Sequence, residues 1–180
     1  MNVSALRARI EAEGLGCLTV DELRPDDLPD IAWSGSASHL RSVARQLSRV
    51  ASGEADYLAV RAPDGLPVAK GGVDYSAVPA AGLIWQLATR EELRNLGIGT
   101  LLLGALERRI EARGRRVAML SVDQANPRPQ ALYERLGYRV VGERPSGWEA
   151  IRADGSTGWY ATMLTDLRKT LGGSDDAPVS

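Results

Sequence analysis

The residues Arg94-Asn95-Leu96-Gly97-Ile98-Gly99-Thr100 join an apolar stretch, Leu83 to Thr89, to a long run with helical spacing. Two glycines at the mouth of a helix let backbone N–H groups approach a ligand with no Cβ in the way. The orphan N–H groups and the helix dipole favour an anion there, a phosphate above all. Arg94 adds a planar, permanently charged fork. The segment has the chemistry of a pyrophosphate cradle. A Rossmann reading fails because Leu102 stands where a third glycine would be, and a P-loop reading fails because no Gly-Lys-Ser/Thr follows.

A second segment with chemical potential is Asn126-Pro127-Arg128-Pro129-Gln130-Ala131-Leu132-Tyr133-Glu134-Arg135-Leu136-Gly137-Tyr138. The amide of Asn126 can both donate and accept. Taken alone, Asn126 also fits a plain turn residue before Pro127, and Tyr133 fits a core tyrosine packed on Leu136 and Tyr138. A phenol, with an ordinary pKa of about 10, can act as a proton donor. Cys17 is the only cysteine and His39 the only histidine. No internal disulfide, cysteine-based zinc site or His-rich metal site is possible, and no metal is expected. No nucleophile-elbow pattern accompanies His39.

These segments need elements to hold them. Alternation over Cys17–Leu23 predicts a first strand. Arg24 to Asp27 reads as a turn into a helix starting near Asp26 or Asp27. Leu40, Val43, Ala44, Leu47 and Val50 mark a helix over His39–Ser52. Tyr57–Arg61 and Pro67–Tyr75 read as a hairpin around the turn Pro63-Asp64-Gly65. Leu83–Thr89 is a further strand. Ile98, Leu101, Leu102, Ala105, Leu106 and Ile110 form one helical face, with Gly114 as its stop. Val117–Val122 is a strand, Pro127–Leu136 a helix ending at Gly137, and Tyr138–Glu143 and Gly158–Leu164 are late strands around a loop over 144–157. Met1 to Gly14 reads as a short amphipathic helix, and 172–180 as a disordered tail. The expectation is a single domain over 1–171.

Arg-x-x-Gly-x-Gly, followed about thirty residues later by Asn…Ala-Leu-Tyr-Glu-x-Leu-Gly-Tyr, resembles the GNAT superfamily of acetyl-CoA-dependent N-acetyltransferases. The matching segments run from Leu83 to Val141. The resemblance implies a mixed α/β (α+β) fold with a central, mostly antiparallel sheet, in which the parallel fourth and fifth strands splay apart to admit the pantetheine arm. It implies acetyl-CoA as co-substrate and a bulge on the fourth strand, whose freed backbone at Leu87 and Thr89 would meet the pantetheine and the thioester oxygen. Arg94, Asn95, Leu96, Gly97, Ile98, Gly99 and Thr100 would hold the pyrophosphate, and Asn126 and Tyr133 would also contact the cofactor. Tyr133 would be the general acid.

The general base is poorly specified. Many members of the family carry a glutamate on the fourth strand, where this chain has Trp85-Gln86. Asp123 and Asp74 are the candidates put forward, with Glu22, His39 and Glu149 behind them. Trp33, Trp85 and Trp148 fall in segments that border the acceptor site in the family; they equally fit a core that contains no phenylalanine. The implied reaction is direct attack of a primary amine on the thioester through a tetrahedral intermediate. The alternative is a catalytically silent acyl-CoA-binding or sensor module.

Composition agrees with a folded domain. The 180 residues are 44% apolar and 25% charged, with a net charge of −1. That balance gives no global field for nucleic acid or an acidic membrane, and no uncharged run is long enough to span one. The expected partner is a small-molecule or peptide amine acceptor, with a homodimer by analogy. The lone cysteine and the lack of a signal-peptide h-region suggest a cytoplasmic setting.

Overall fold

The computed structural model describes residues 16–126, 128–151 and 156–172. The expected helix over 1–14 and the tail beyond Gly172 lie outside these residues, as do the side chains of 148–151 and 157. The elements belong to the mixed α/β class and group into two compact units, Met1–Arg115 and Arg116–Ser180.

In the first unit, strands β1 (Thr19–Glu22), β2 (Ala55–Arg61), β3 (Pro67–Asp74) and β4 (Ala81–Thr89) pair antiparallel in sequence order. Every residue of β2 is buried, so Ala55–Arg61 shows no polar alternation: the strand is covered on both faces. Helix α1 (Ala37–Ala51) starts where the Ser36 hydroxyl accepts from the His39 N–H at 3.3 Å. Its Val43 and Leu47 pack with Leu23, Ile31, Tyr57 and Ala59 in one cluster. Helix α2 (Ile98–Ala112) buries Ile98, Leu102, Leu103, Ala105, Leu106 and Ile110. Gly71 and Gly82 make room on its side of the sheet: a Cβ at Gly71 would meet Leu87 at 2.6 Å and Leu106 at 3.4 Å, and one at Gly82 would meet Ile110 at 2.5 Å.

The helix expected near Asp26 or Asp27 is instead two 3-10 turns, Pro25–Asp27 and Pro29–Ser34. Two prolines four residues apart remove backbone donors and break the helical ladder. The Asp27 carboxylate takes the Arg24 N–H at 2.7 Å and closes the first turn.

In the second unit, β5 (Val117–Asp123) is followed by helix α3 (Arg128–Arg135), β6 (Arg139–Ile151) and β7 (Thr157–Thr170), and the strands pair antiparallel in the order β5-β7-β6. Ala118, Leu120, Val122, Tyr138 and Leu167 are buried here. Both late strands exceed their predicted spans. The segment 144–151, expected as loop, continues β6, with Pro145 opposite Met163. Strand β6 is hydrogen-bonded only to β7 in this sheet, and an edge strand tolerates proline and glycine. The extension of β7 to Thr170 was hidden by charge, since Asp166 and Arg168 alternate with the buried Thr165 and Leu167 and Lys169 follows directly. No helix among the described residues is long and apolar enough to cross a membrane.

Candidate functional site

Strand β4 changes face in its middle. Lys70 pairs with Ala88 and Gly72 with Trp85, so Gln86 and Leu87 together oppose the single residue Gly71. Gln86 takes the left-handed backbone conformation, φ 53°. That extra residue is a β-bulge. Upstream of it Trp85 packs on the α1 cluster and edge-on to Tyr57, with ring centroids 5.3 Å apart. Downstream, Leu87 lies over Gly71 beside Leu106 on the α2 side. Without the bulge, residues 85 and 87 would share a face. The irregularity expected at Leu87–Thr89 is therefore centred on Gln86–Leu87. Left-handed geometry at a non-glycine costs about 1–2 kcal/mol. Here it is held by the Gln86 side chain, which accepts from the Tyr57 hydroxyl at 2.9 Å and donates to Ser42 Oγ at 3.2 Å.

Strand β4 leads through a 3-10 turn, Glu91–Leu93, into α2. Asn95 (φ 65°) and Gly97 (φ 88°) both adopt left-handed backbone, and Gly97 is the N-cap. No side chain caps this end, and no acidic residue occupies its first turn. The N–H groups at the start of the helix are left for a ligand or water. A Cβ at Gly99 would lie 3.5 Å from Thr89 Oγ1, so the first turn sits against the end of β4. The bulge and the uncapped helix start thus belong to one continuous stretch of chain, Gln86 to Thr100. Arg94 is exposed and meets Glu91 at 3.5 Å.

Beside the bulge lies a buried group that sequence reasoning missed. Lys70, on β3, has no solvent exposure. Its Nζ is 3.1 Å from the Gln86 carbonyl, 3.1 Å from the Tyr57 hydroxyl and 2.8 Å from His39 Nε2. Among the described residues no carboxylate lies in ion-pair reach of it. Burial pushes the Lys70 ammonium down to about 7. Burial and the nearby lysine push the His39 imidazole down to about 4, and burial lifts the Tyr57 phenol far above its usual value. One signal was available: a lysine inside the otherwise apolar run Pro67–Val73, in a chain with only two lysines.

Two base candidates are occupied. Asp74 is clamped by Arg49 through two hydrogen bonds of 2.8 and 3.0 Å and accepts from Ser76 and Ala77. Arg49 holds its carboxyl well below the ordinary range. Asp123 accepts from Thr162, Tyr160 and the Ala125 N–H, and the Thr162 hydroxyl leads in holding it low. Carboxylates held this firmly ionised are poor proton acceptors.

In the second unit Tyr133 is half-buried and stands edge-on to Tyr138, centroids 5.9 Å apart. Burial raises its phenol, and its hydroxyl has no hydrogen-bond partner among the described residues. Asn126 is exposed in the turn after β5, its N–H on the Asp123 carbonyl at 2.9 Å. Trp33 and Trp85 are half-buried against the α1 cluster, each with an indole N–H that is buried and unpaired. The Trp148 side chain is outside the described set. No group of three His, Cys, Asp or Glu that could hold a metal occurs among the described residues.

The fold recurs in solved acetyltransferases. The ribosomal-protein-S18-alanine N-acetyltransferase of Escherichia coli is similar with a TM-score of 0.62 and 18% identity, over 91% of this chain and 100% of that one. The IAA acetyltransferase of Bacillus cereus gives 0.64 and 16%, over 86% and 100%. The PaiA N-acetyltransferase of Thermoplasma acidophilum, solved in complex with coenzyme A, gives 0.62 and 15%, over 86% and 99%. At these identities the likeness speaks for the fold alone. No curated protein matches the chain. The acetyltransferase (GNAT) family pattern matches residues 24–138, a span that takes in the bulge, the uncapped helix start and Tyr133. The chain belongs to the GNAT acetyltransferase family.

Proposed function

We propose that the protein moves the acetyl group of acetyl-CoA to a primary amine of a small molecule or peptide. The observation that carries this reading is the start of α2, where a left-handed Gly97 opens an uncapped helix with no acidic residue in its first turn. That end offers several N–H groups and a positive dipole to a diphosphate. Gly97, Gly99 and Thr100 would bind it through backbone, with Arg94 adding charge from outside. Leu87 and Thr89, on the irregular end of β4, would take the pantetheine amides.

The amine attacks the thioester carbon directly, forming the C–N bond of a tetrahedral intermediate whose collapse breaks the C–S bond. The thiolate leaves and takes a proton from Tyr133, while the amine gives one up to a base. No enzyme-bound acyl group is needed, since holding both reactants together supplies much of the acceleration. Tyr133 suits the acid role as a phenol that is fully protonated at neutral pH, with burial raising it further. Tyr133→Phe is expected to lower kcat by about 10²–10⁴-fold.

Calorimetry with acetyl-CoA and thiol release across an amine panel test the reading together. Heat of binding plus thiol release with at least one amine supports transfer. Heat without turnover on any amine favours the silent acyl-CoA-binding module. Absence of heat overturns both.

A further inference from the structure

Lys70 Nζ has three partners, and their chemistry fixes the protons. The Gln86 carbonyl can only accept. The Tyr57 hydroxyl spends its hydrogen on Gln86 Oε1, so toward Lys70 it also accepts. A neutral amine has two hydrogens and one lone pair. Its two hydrogens go to these oxygens, and its lone pair then faces His39 Nε2 at 2.8 Å. In that state His39 must carry its proton on Nε2 and leave Nδ1 bare. A protonated Lys70 has three hydrogens, so His39 must then accept on Nε2 and carry its proton on Nδ1. The charge of the lysine and the tautomer of the histidine are locked to each other.

The imidazole is built into this place. His39 sits in the first turn of α1, where the helix dipole disfavours an imidazolium. Its ring lies against Gly35, where an added Cβ would come within 2.8 Å of it. His39 is half-buried, and Nδ1 has no protein partner among the described residues. The groups around the pair are few. From β2 comes Tyr57, from β4 the uncharged Gln86, and from α1 His39 itself, with Arg41 exposed beyond it. The 3-10 turn over Pro29–Ser34 contributes only Asp30, also exposed. Helix α2 packs on the other face of β3, through Leu106 over Gly71.

We propose that His39 and Lys70 form the proton-accepting relay of the reaction, a role that rests on the acetyltransferase reading above. His39 Nδ1 takes the proton of the attacking amine, and the Nε2 proton passes to Lys70 Nζ. The amine lone pair becomes the C–N bond, the C–S pair leaves with sulfur, and the proton ends on the lysine as an ammonium. His39 stays neutral and changes tautomer. Return of that proton through His39 to water resets the pair. Lys70 is the positioning residue, since it acts through His39. This places a base at the bulge without a carboxylate, and gives the sole histidine a task.

Having one histidine makes the test direct. Two-bond proton–nitrogen correlation spectra of nitrogen-15-labelled full-length protein report both ring nitrogens of His39 alone. The expected result is a ring that stays neutral down to pH 5 and swaps tautomer with a midpoint within about one unit of 7. Lys70→Met should abolish the swap. In kinetics with an amine that turns over, kcat/KM should rise with pH through the same midpoint. His39→Gln should lower kcat by about 10²–10⁴-fold with acetyl-CoA heat unchanged. A histidine that becomes imidazolium near pH 6.5, or one that keeps a single tautomer from pH 6 to 9, overturns the relay from the wild-type spectra alone. A swap that survives in Lys70→Met overturns it as well. Heat with acetyl-CoA and no swap defeats the relay only. No heat with acetyl-CoA defeats the transferase reading, and the relay's catalytic role with it.

Discussion

Arg61 on β2 and Lys70 on β3 are both buried cations, 8% and 0% exposed, and their surroundings treat charge in opposite ways. All five Arg61 N–H groups are matched. Nε donates to Asp21 at 2.6 Å, the two terminal nitrogens grip Asp27 at 2.8 and 2.9 Å, and the remaining two donors reach the Glu22 and Gly65 carbonyls. The guanidinium ties β1, the first 3-10 turn and the β2–β3 turn together in its charged form, and holds Asp27 below its usual range. Lys70 has no carboxylate, only two neutral acceptors and an imidazole. Desolvation then acts without compensation, and the ammonium is held near its tipping point. What separates a structural charge from a movable proton here is the counter-ion, not the depth of burial.

Removing Arg61 is the harshest way to break this contrast. Arg61→Ala leaves Asp27, 13% exposed, without its partner. Losing one member of a buried pair costs about 3–5 kcal/mol. Urea unfolding at pH 7 should show that loss. A change under about 1 kcal/mol would mean the pair is worth no more than a surface bridge, and the contrast with Lys70 would fall.

Lys70 sharpens the comparison through pH. Its folded pKa, about 7, lies below its unfolded value of 10.5. Between these values the unfolded chain binds more protons, so stability rises with pH across the window and the gain is lost as pH falls toward 7. Each pH unit inside the window is worth about 1.4 kcal/mol at most. From pH 7 to 9 the wild type should therefore gain about 2–3 kcal/mol relative to Lys70→Met, whose unfolding free energy lacks that slope. Parallel stability curves for the two proteins would show that Lys70 is paired after all.

The two sites also differ in how far the sequence announces them. Leu102, Leu106 and Ile110 recur at helical spacing, and Gly97 and Gly114 bound them, so α2 and its anion-friendly start could be read directly. The bulge could not. Its cause is the pairing of Gln86 and Leu87 against Gly71, a relation between strands that neither strand shows by itself. The same holds for Lys70, whose partners come from positions 39, 57 and 86. The two base candidates chosen by residue type, Asp74 and Asp123, turn out to be engaged by Arg49 and Thr162; type says what a side chain can do, and its neighbours decide whether it is available. The length of β6 escaped notice because Pro145 and Gly147 look like loop, which an edge strand permits.

A third cation extends the comparison to the surface. Arg94 and Glu91 are 60% and 86% exposed and 3.5 Å apart. Such a pair adds less than about 1 kcal/mol to folding, so Arg94→Ala should leave the urea midpoint almost unmoved. Its charge matters only if an anion arrives at the start of α2. Acetyl-CoA binding should then weaken in Arg94→Ala by up to about fivefold at low ionic strength, and the difference should shrink as salt screens it. Glu91→Ala should move affinity the opposite way, because it frees the guanidinium from a competing carboxylate. If both variants bound acetyl-CoA like the wild type, the diphosphate would be held by backbone N–H groups alone, and the three cations would sort as one structural, one proton-carrying and one without a task.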